Sequence, residues 1–383
     1  MSKTYDAAVV GAGVFGAWTA WHLLRAGLRV LLVDQYGPAN ARASSGGETR
    51  VIRMAYGVVE IYSRMSQHSL EQWKKFFARI DRPDLFRETG VLCLSAAGGD
   101  HAAQSLPVLV RSGVPHEVLT SDALALRYPQ LRVPSGSWGL LEPNSGALFA
   151  RRAVQAVVED CLRAGAGLRI DRVVAPAGDT HLAEIRTESG EAIRAAHFVF
   201  ACGPWLGGAL PDVLAGRIFP TRQEVFYFGT APGDRSFTSP ALPIWLDFER
   251  GYYGIPDLDG RGFKLAHDTH GEAVDPDTVE RAPTPARIAH AREFLARRFP
   301  AMAGAPLLCA EVCQYENTSN GDFVIDRHPS FENVWIAGGG SGHGFKHGPA
   351  VGAYLVARML RNGTAEPRFS LTTKARDRRR EVR

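Results

Sequence analysis

The apolar positions of the chain change period repeatedly. Residues Tyr5–Val10 (YDAAVV) form a short apolar run that predicts a strand. The glycine-rich turn Gly11-Ala-Gly-Val-Phe-Gly16 follows. Apolar residues then recur at helical spacing over 17–26 and stop at Gly27, a residue suited to end a helix. Residues 29–33 (RVLLV) predict a second strand, closed by Asp34. Helical spacing returns over 61–80, 150–164, 283–299 and 349–360. Strand-like runs stand at 90–94, 138–141, 168–174, 197–201 and 334–337, and 183–187 with 192–194 reads as a hairpin. The runs 221–228, 244–248, 252–255 and 262–266 lie close together, as the strands of an antiparallel sheet do. No internal repeat and no low-complexity linker interrupts the chain.

A length of 383 residues suggests two domains, and the composition is that of an ordinary globular protein. No stretch approaches the roughly 18 apolar residues of a membrane span. The N-terminus runs straight into a strand, which leaves no room for a signal peptide, so a cytoplasmic protein is expected. The net charge of +4 is concentrated in KARDRRREVR at the C-terminus. A solvated tail is expected there, not a nucleic-acid surface, and the tail carries no Ser-Lys-Leu address. The five cysteines, Cys93, Cys161, Cys202, Cys309 and Cys313, include no C-x-x-C pair. That argues against zinc and disulfides, and no metal site is expected.

Gly11, Gly13 and Gly16 form G-x-G-x-x-G between a strand and a helix. The first glycine permits the tight turn, the second lets backbone approach a pyrophosphate at the helix N-terminus, and the third lets helix pack on strand. Asp34 can accept hydrogen bonds from the ribose hydroxyls of an adenosine. The pattern predicts dinucleotide binding without separating FAD from NAD. Late in the chain, VWIAGGGSGHGFK (334–346) gives a second strand and glycine-rich turn, where backbone can approach a flat ring. His343 and Lys346 lie in that turn.

On these residues the chain resembles the monomeric sarcosine oxidase, N-methyltryptophan oxidase and pipecolate oxidase group of the D-amino-acid-oxidase-like FAD oxidoreductases. The anchors are Gly11–Gly16, Gly47-Glu-Thr-Arg-Val-Ile-Arg53, Glu142-Pro-Asn-Ser-Gly146, Tyr252-Tyr-Gly254, Lys264, Asp275-Pro-Asp-Thr278, Cys313-Gln-Tyr315 and Gly342-His-Gly-Phe-Lys346. The resemblance implies an α/β fold with an α+β second domain. A Rossmann-type FAD-binding domain (1–86, 142–218, 320–370) would be interleaved with an antiparallel-sheet substrate domain (87–141, 219–319), with a disordered basic tail (371–383). It implies FAD held by Gly11, Gly13, Val14, Phe15 and Gly16, and at the adenosine end by Asp34, Gln35 and Val173. Ser44, Ser45, Thr49, Arg50, Cys202, Gly203 and Trp205 would continue the site, and Gly340, Gly342, His343, Gly344 and Lys346 would close it. Cys313 would carry the flavin as a thioether, the Tyr315 spacing favouring it over Cys309.

The resemblance further implies that Arg53 and Lys346 grip a substrate carboxylate, a guanidinium doing so bidentately. Arg50 would lie over the flavin, Lys264 would promote the reaction with oxygen, and Tyr253 and Tyr315 would wall the substrate pocket. An outward-facing lysine is the competing reading of Lys264. Two positions depart from the pattern: Gly46 and Asp268 stand where the sarcosine oxidases have histidines, His267 and His270 flanking the second. Asp268 would add a negative charge able to recognise a cationic group, and Trp245 would reshape the pocket. The activity implied is oxidation of the C–N bond of a small secondary or N-methyl amino acid, with O2 reduced to H2O2 by a monomer. An oxidase of a cyclic or pathway-specific amino acid and a flavin amine dehydrogenase with another acceptor are the alternatives. A non-catalytic flavin subunit and NAD chemistry fit less well.

Overall fold

The computed structural model describes residues 4–376 except Asp179, His270 and Asn362. A seven-stranded sheet has the spatial order Val324–Arg327, Val334–Gly338, Ala192–Phe200, Tyr5–Val10, Val30–Asp34, Gly167–Ile170. Its central pairs are parallel, Val324–Arg327 is antiparallel at one edge, and Glu184–Arg186 folds back on Ala192–Phe200. Alternation along Tyr5–Val10 divides the core. Ala7 and Val9 face a layer that contains Trp18, Trp73 and Leu355, while Ala8 and Val10 face Leu206, Leu210 and Leu214. Helices Val14–Arg25, Ala150–Arg163 and Gly348–Arg361 cover the first face.

An eight-stranded sheet has the order Leu307–Asn317, Phe219–Phe228, Phe263–His267, Tyr252–Ile255, Ile244–Asp247, Val91–Ser95, Trp138–Glu142, Glu117–Leu119. All its pairs are antiparallel except Ile244–Asp247 with Val91–Ser95. Helix Pro285–Arg298 packs an aromatic layer of Phe294, Trp245, Phe263 and Phe299 on one face. Thr49–Ile52, Gly146–Phe149 and Phe86–Arg87 form a three-stranded sheet. No described helix is long and apolar enough to cross a membrane.

The expected elements occur, most with ends shifted by one to three residues. Strand 168–174 is shorter than expected: the sheet ends at Ile170, and Val173 makes an isolated bridge to Thr187. The sequence pattern gave no sign of helix Asp100–Arg111, which contains Pro107, or of the eleven-residue strand Leu307–Asn317. The tail expected from residue 371 on begins ordered. Leu371–Thr373 form a 3-10 turn, and Lys374, 0% exposed, donates to the Arg368 carbonyl at 2.7 Å. Residues 377–383 lie outside the described residues.

Candidate active site

The strand ends of the seven-stranded sheet open on a cleft. Its floor is the first glycine turn. Gly11 has φ +102°, and a Cβ there would stand 2.2 Å from the Ala201 carbonyl oxygen. A Cβ on Gly16 would lie 1.8 Å from the Gly11 carbonyl oxygen, so Gly16 acts by packing and not by lining the cleft. Ser45 Oγ accepts from Val14 N at 3.1 Å. Asp34 accepts from Ala12 N at 2.7 Å and Tyr36 N at 3.0 Å, which fixes its carboxyl at the cleft wall, and burial raises its pKa. Gln35, Val173, Cys202, Gly203 and Trp205 border the same end. Asp277, within the Asp275–Thr278 anchor, ties that end together: Trp205 Nε1 donates to it at 2.7 Å and Arg172 pairs with it at 3.1 Å. Ser44, Arg50, Tyr315, Gly340, Gly342, Gly344 and Phe345 line the other end.

A second cavity adjoins the first, and Arg50, Tyr315, Gly342 and Phe345 border both. Arg53, just past strand Thr49–Ile52, is 3% exposed. Its guanidinium carbon lies 4.5 Å from the Tyr56 ring centroid and 4.9 Å from that of Phe248. Its Nη1 has no hydrogen-bond partner among the described residues. Lys346 Nζ donates to the Tyr56 hydroxyl at 2.9 Å and the His343 carbonyl at 3.0 Å. Burial, then the nearby Arg53 charge, pushes the Lys346 pKa well below the usual lysine range. Two buried cations on one wall, one with an unused donor, suit a carboxylate. Tyr56, whose hydroxyl also shares a hydrogen bond with His347 Nε2 at 2.9 Å, was invisible in the sequence because only the fold brings it to Lys346.

Tyr253, Tyr315, Asp268 and Cys313 line the same cavity. The Tyr315 hydroxyl donates to Asp268 Oδ1 at 2.7 Å. Cys313 is inside, with Arg50 Nη2 3.4 Å from its sulfur, whereas Cys309 is exposed four positions back on the same strand. Arg50 also donates to the Ser44 carbonyl at 2.7 Å and the Thr49 carbonyl at 2.9 Å.

Lys264 is 2% exposed, which excludes the outward-facing alternative. It borders neither cavity: Nζ donates to the Thr49 carbonyl at 2.9 Å and to Thr49 Oγ1 at 3.3 Å, with the Tyr253 and Tyr227 rings about 6 Å away. Burial, with the Arg50 charge adding to it, lowers its pKa to about 7. Thr49 therefore supports Lys264 and does not line the cleft. His343, Cys313 and Lys346 line the second cavity only. Trp245 is a correction. It is 0% exposed and packs against Phe263, Phe294 and Phe299 on the far face of its strand, and its neighbour Leu246 faces the cavity instead. A strand's side chains alternate, so the single-residue parity decides which of the two meets a substrate. Gly46 is held by close backbone: a Cβ would stand 2.0 Å from the Asn40 carbonyl oxygen. His270 lies outside the described residues.

The glycine floor, the Asp34 wall and the glycine-rich far turn fit FAD, whose two ring systems would occupy the two ends of the cleft. The family model for FAD dependent oxidoreductases matches residues 6–358, and the chain belongs to that family as an FAD-dependent oxidoreductase. Among its relatives, the monomeric sarcosine oxidase of Bacillus sp. (strain NS-129) is 32% identical, with 98% of each chain covered. The peroxisomal sarcosine oxidase of Homo sapiens is 31% identical, over 93% of this chain and 92% of that one. In structure, the L-proline dehydrogenase of P. horikoshii superposes with a TM-score of 0.84 at 20% identity, over 97% and 98% of the two chains. NikD, an amino acid oxidase of nikkomycin biosynthesis, superposes with a TM-score of 0.79 at 21% identity, over 96% and 98%.

Proposed function

We propose that the protein oxidises the C–N bond of a small N-methyl or other secondary amino acid to an imine, reducing O2 to H2O2, as a cytoplasmic monomer with FAD attached through Cys313. The observation that carries this reading is the buried Arg53 Nη1, without a hydrogen-bond partner among the described residues, beside Lys346 in a cavity that shares a wall with the FAD cleft. Arg53 and Lys346 would take the carboxylate, and Tyr253 and Tyr315 would face the amine. The cluster of Arg50, Arg53 and Lys346 disfavours a further positive charge, so it promotes loss of the ammonium proton and presents the neutral amine. When bound, FAD supplies the two-electron acceptor. Lys264, held by Thr49 in a dry site, would place a positive charge where oxygen gains negative charge. The relatives named as sarcosine oxidases support the same chemistry.

The test is a substrate panel of sarcosine, other N-methyl amino acids, L- and D-pipecolate, proline and primary amino acids, read by peroxide formation in air. Peroxide from secondary amines supports the proposal. Oxidation detectable only with an artificial electron acceptor would contradict its oxygen step.

A further inference from the structure

Glu316 has no part in the chemistry above, yet its carboxyl group sits in the wall of the cofactor cleft. It follows Tyr315 on strand Leu307–Asn317 and is 8% exposed. Oε1 accepts from Gly340 N at 3.2 Å. Oε2 has no hydrogen-bond partner among the described residues. Glycines surround the group: a Cβ on Gly338 would stand 3.3 Å from Oε2, one on Gly340 3.1 Å from Oε1, and one on Gly203 3.9 Å from Oε2. The carboxyl thus lies where the turn after Ala192–Phe200 meets the turn after Val334–Gly338, between the two ends of the cleft.

A buried carboxyl oxygen left without a donor is costly. Its position on the cleft wall means that a ligand can supply the missing donor. A phosphate has no donor to offer and would repel a carboxylate. A hydroxyl donates. Burial, only partly offset by the backbone amides of Gly340 and Gly339, raises the Glu316 pKa to about 7.

We propose that Glu316 holds FAD in place by accepting, through Oε2, a hydrogen bond from a hydroxyl of the cofactor's sugar-alcohol chain. The proposal rests on the FAD site described above. A donor favours the ionised acid, so cofactor retention strengthens as pH rises through about 7.

The experiment follows flavin release from the full-length flavoprotein, by flavin fluorescence after dilution, on both sides of neutrality. Cys313→Ser serves as the parent so that a covalent bond cannot mask release. The parent is expected to release flavin about tenfold more slowly on the alkaline side, the effect of one hydrogen bond to a charged group. Adding Glu316→Gln, which keeps the shape, should quicken release there and flatten the pH dependence. Glu316→Asp, which shortens the reach, is read the same way if the amide variant does not fold. Equal release from parent and variants at every pH, or release that quickens with rising pH, would overturn the proposal. A parent that purifies without flavin would overturn the FAD site itself, and this proposal with it.

Discussion

Lys346 donates to the Tyr56 hydroxyl at 2.9 Å, on the same tyrosine whose ring lies 4.5 Å from the Arg53 guanidinium carbon. One side chain thereby aims both cations of the candidate carboxylate site. Tyr56→Phe keeps the ring beneath Arg53 and removes one of the two acceptors of Lys346. The expected result is a KM for the amino acid raised about tenfold, the cost of roughly one charge-assisted hydrogen bond, with kcat changed much less. Steady-state kinetics decide it, and a fall confined to kcat would show that Tyr56 does not act through carboxylate binding.

Lys264→Met should slow flavin reoxidation far more than flavin reduction, as measured separately by stopped flow. In the parent protein the oxygen step should weaken as pH rises through about 7, because the lysine carries its charge below that pKa and loses it above. Equal slowing of both half-reactions would remove Lys264 from the oxygen step.

Cys313 is inside the cavity and Cys309 is exposed, so only one of them can meet a flavin. After acid precipitation, yellow colour is expected in the pellet of the parent protein and of Cys309→Ser, and in the supernatant of Cys313→Ser. Colour in the supernatant of the parent would refute attachment.

Asp268 accepts from Tyr315 and lines the same cavity as Lys346. Asp268→Asn keeps an acceptor and removes the charge. It should lower kcat/KM for amino acids with a second cationic group by about tenfold relative to neutral ones of the same length. An unchanged ratio would leave Asp268 as the anchor of Tyr315 alone.

The nucleotide half of the site was legible because its signals are local. Strand, glycine turn, helix and Asp34 lie close together in sequence, and Gly11 and Gly16 each answer to a close backbone contact. The carboxylate pair was reached only through resemblance, since nothing local to Arg53 or Lys346 says that the fold joins them. Tyr56, Asp277 and Glu316 acquire their roles from contacts made across the fold, which no spacing along the chain encodes. Trp245 failed on parity: an all-buried strand, IWLD, does not show by its pattern which face meets a ligand. Strand Leu307–Asn317 was missed because its mixture of charged, polar and apolar residues masks a strand at the edge of the sheet.

The most direct test of the carboxylate-gripping amine site is anaerobic bleaching of the flavin by an N-methyl amino acid that the panel identifies, set against the methyl ester of the same compound. The acid should bleach the flavin readily. The ester has the same amine but no charge for Arg53 and Lys346. It should bleach the flavin at least about a hundredfold more slowly at equal concentration, on the order of what two charge-assisted hydrogen bonds contribute. Equal bleaching by acid and ester would contradict the assignment of that pair, and with it the central claim.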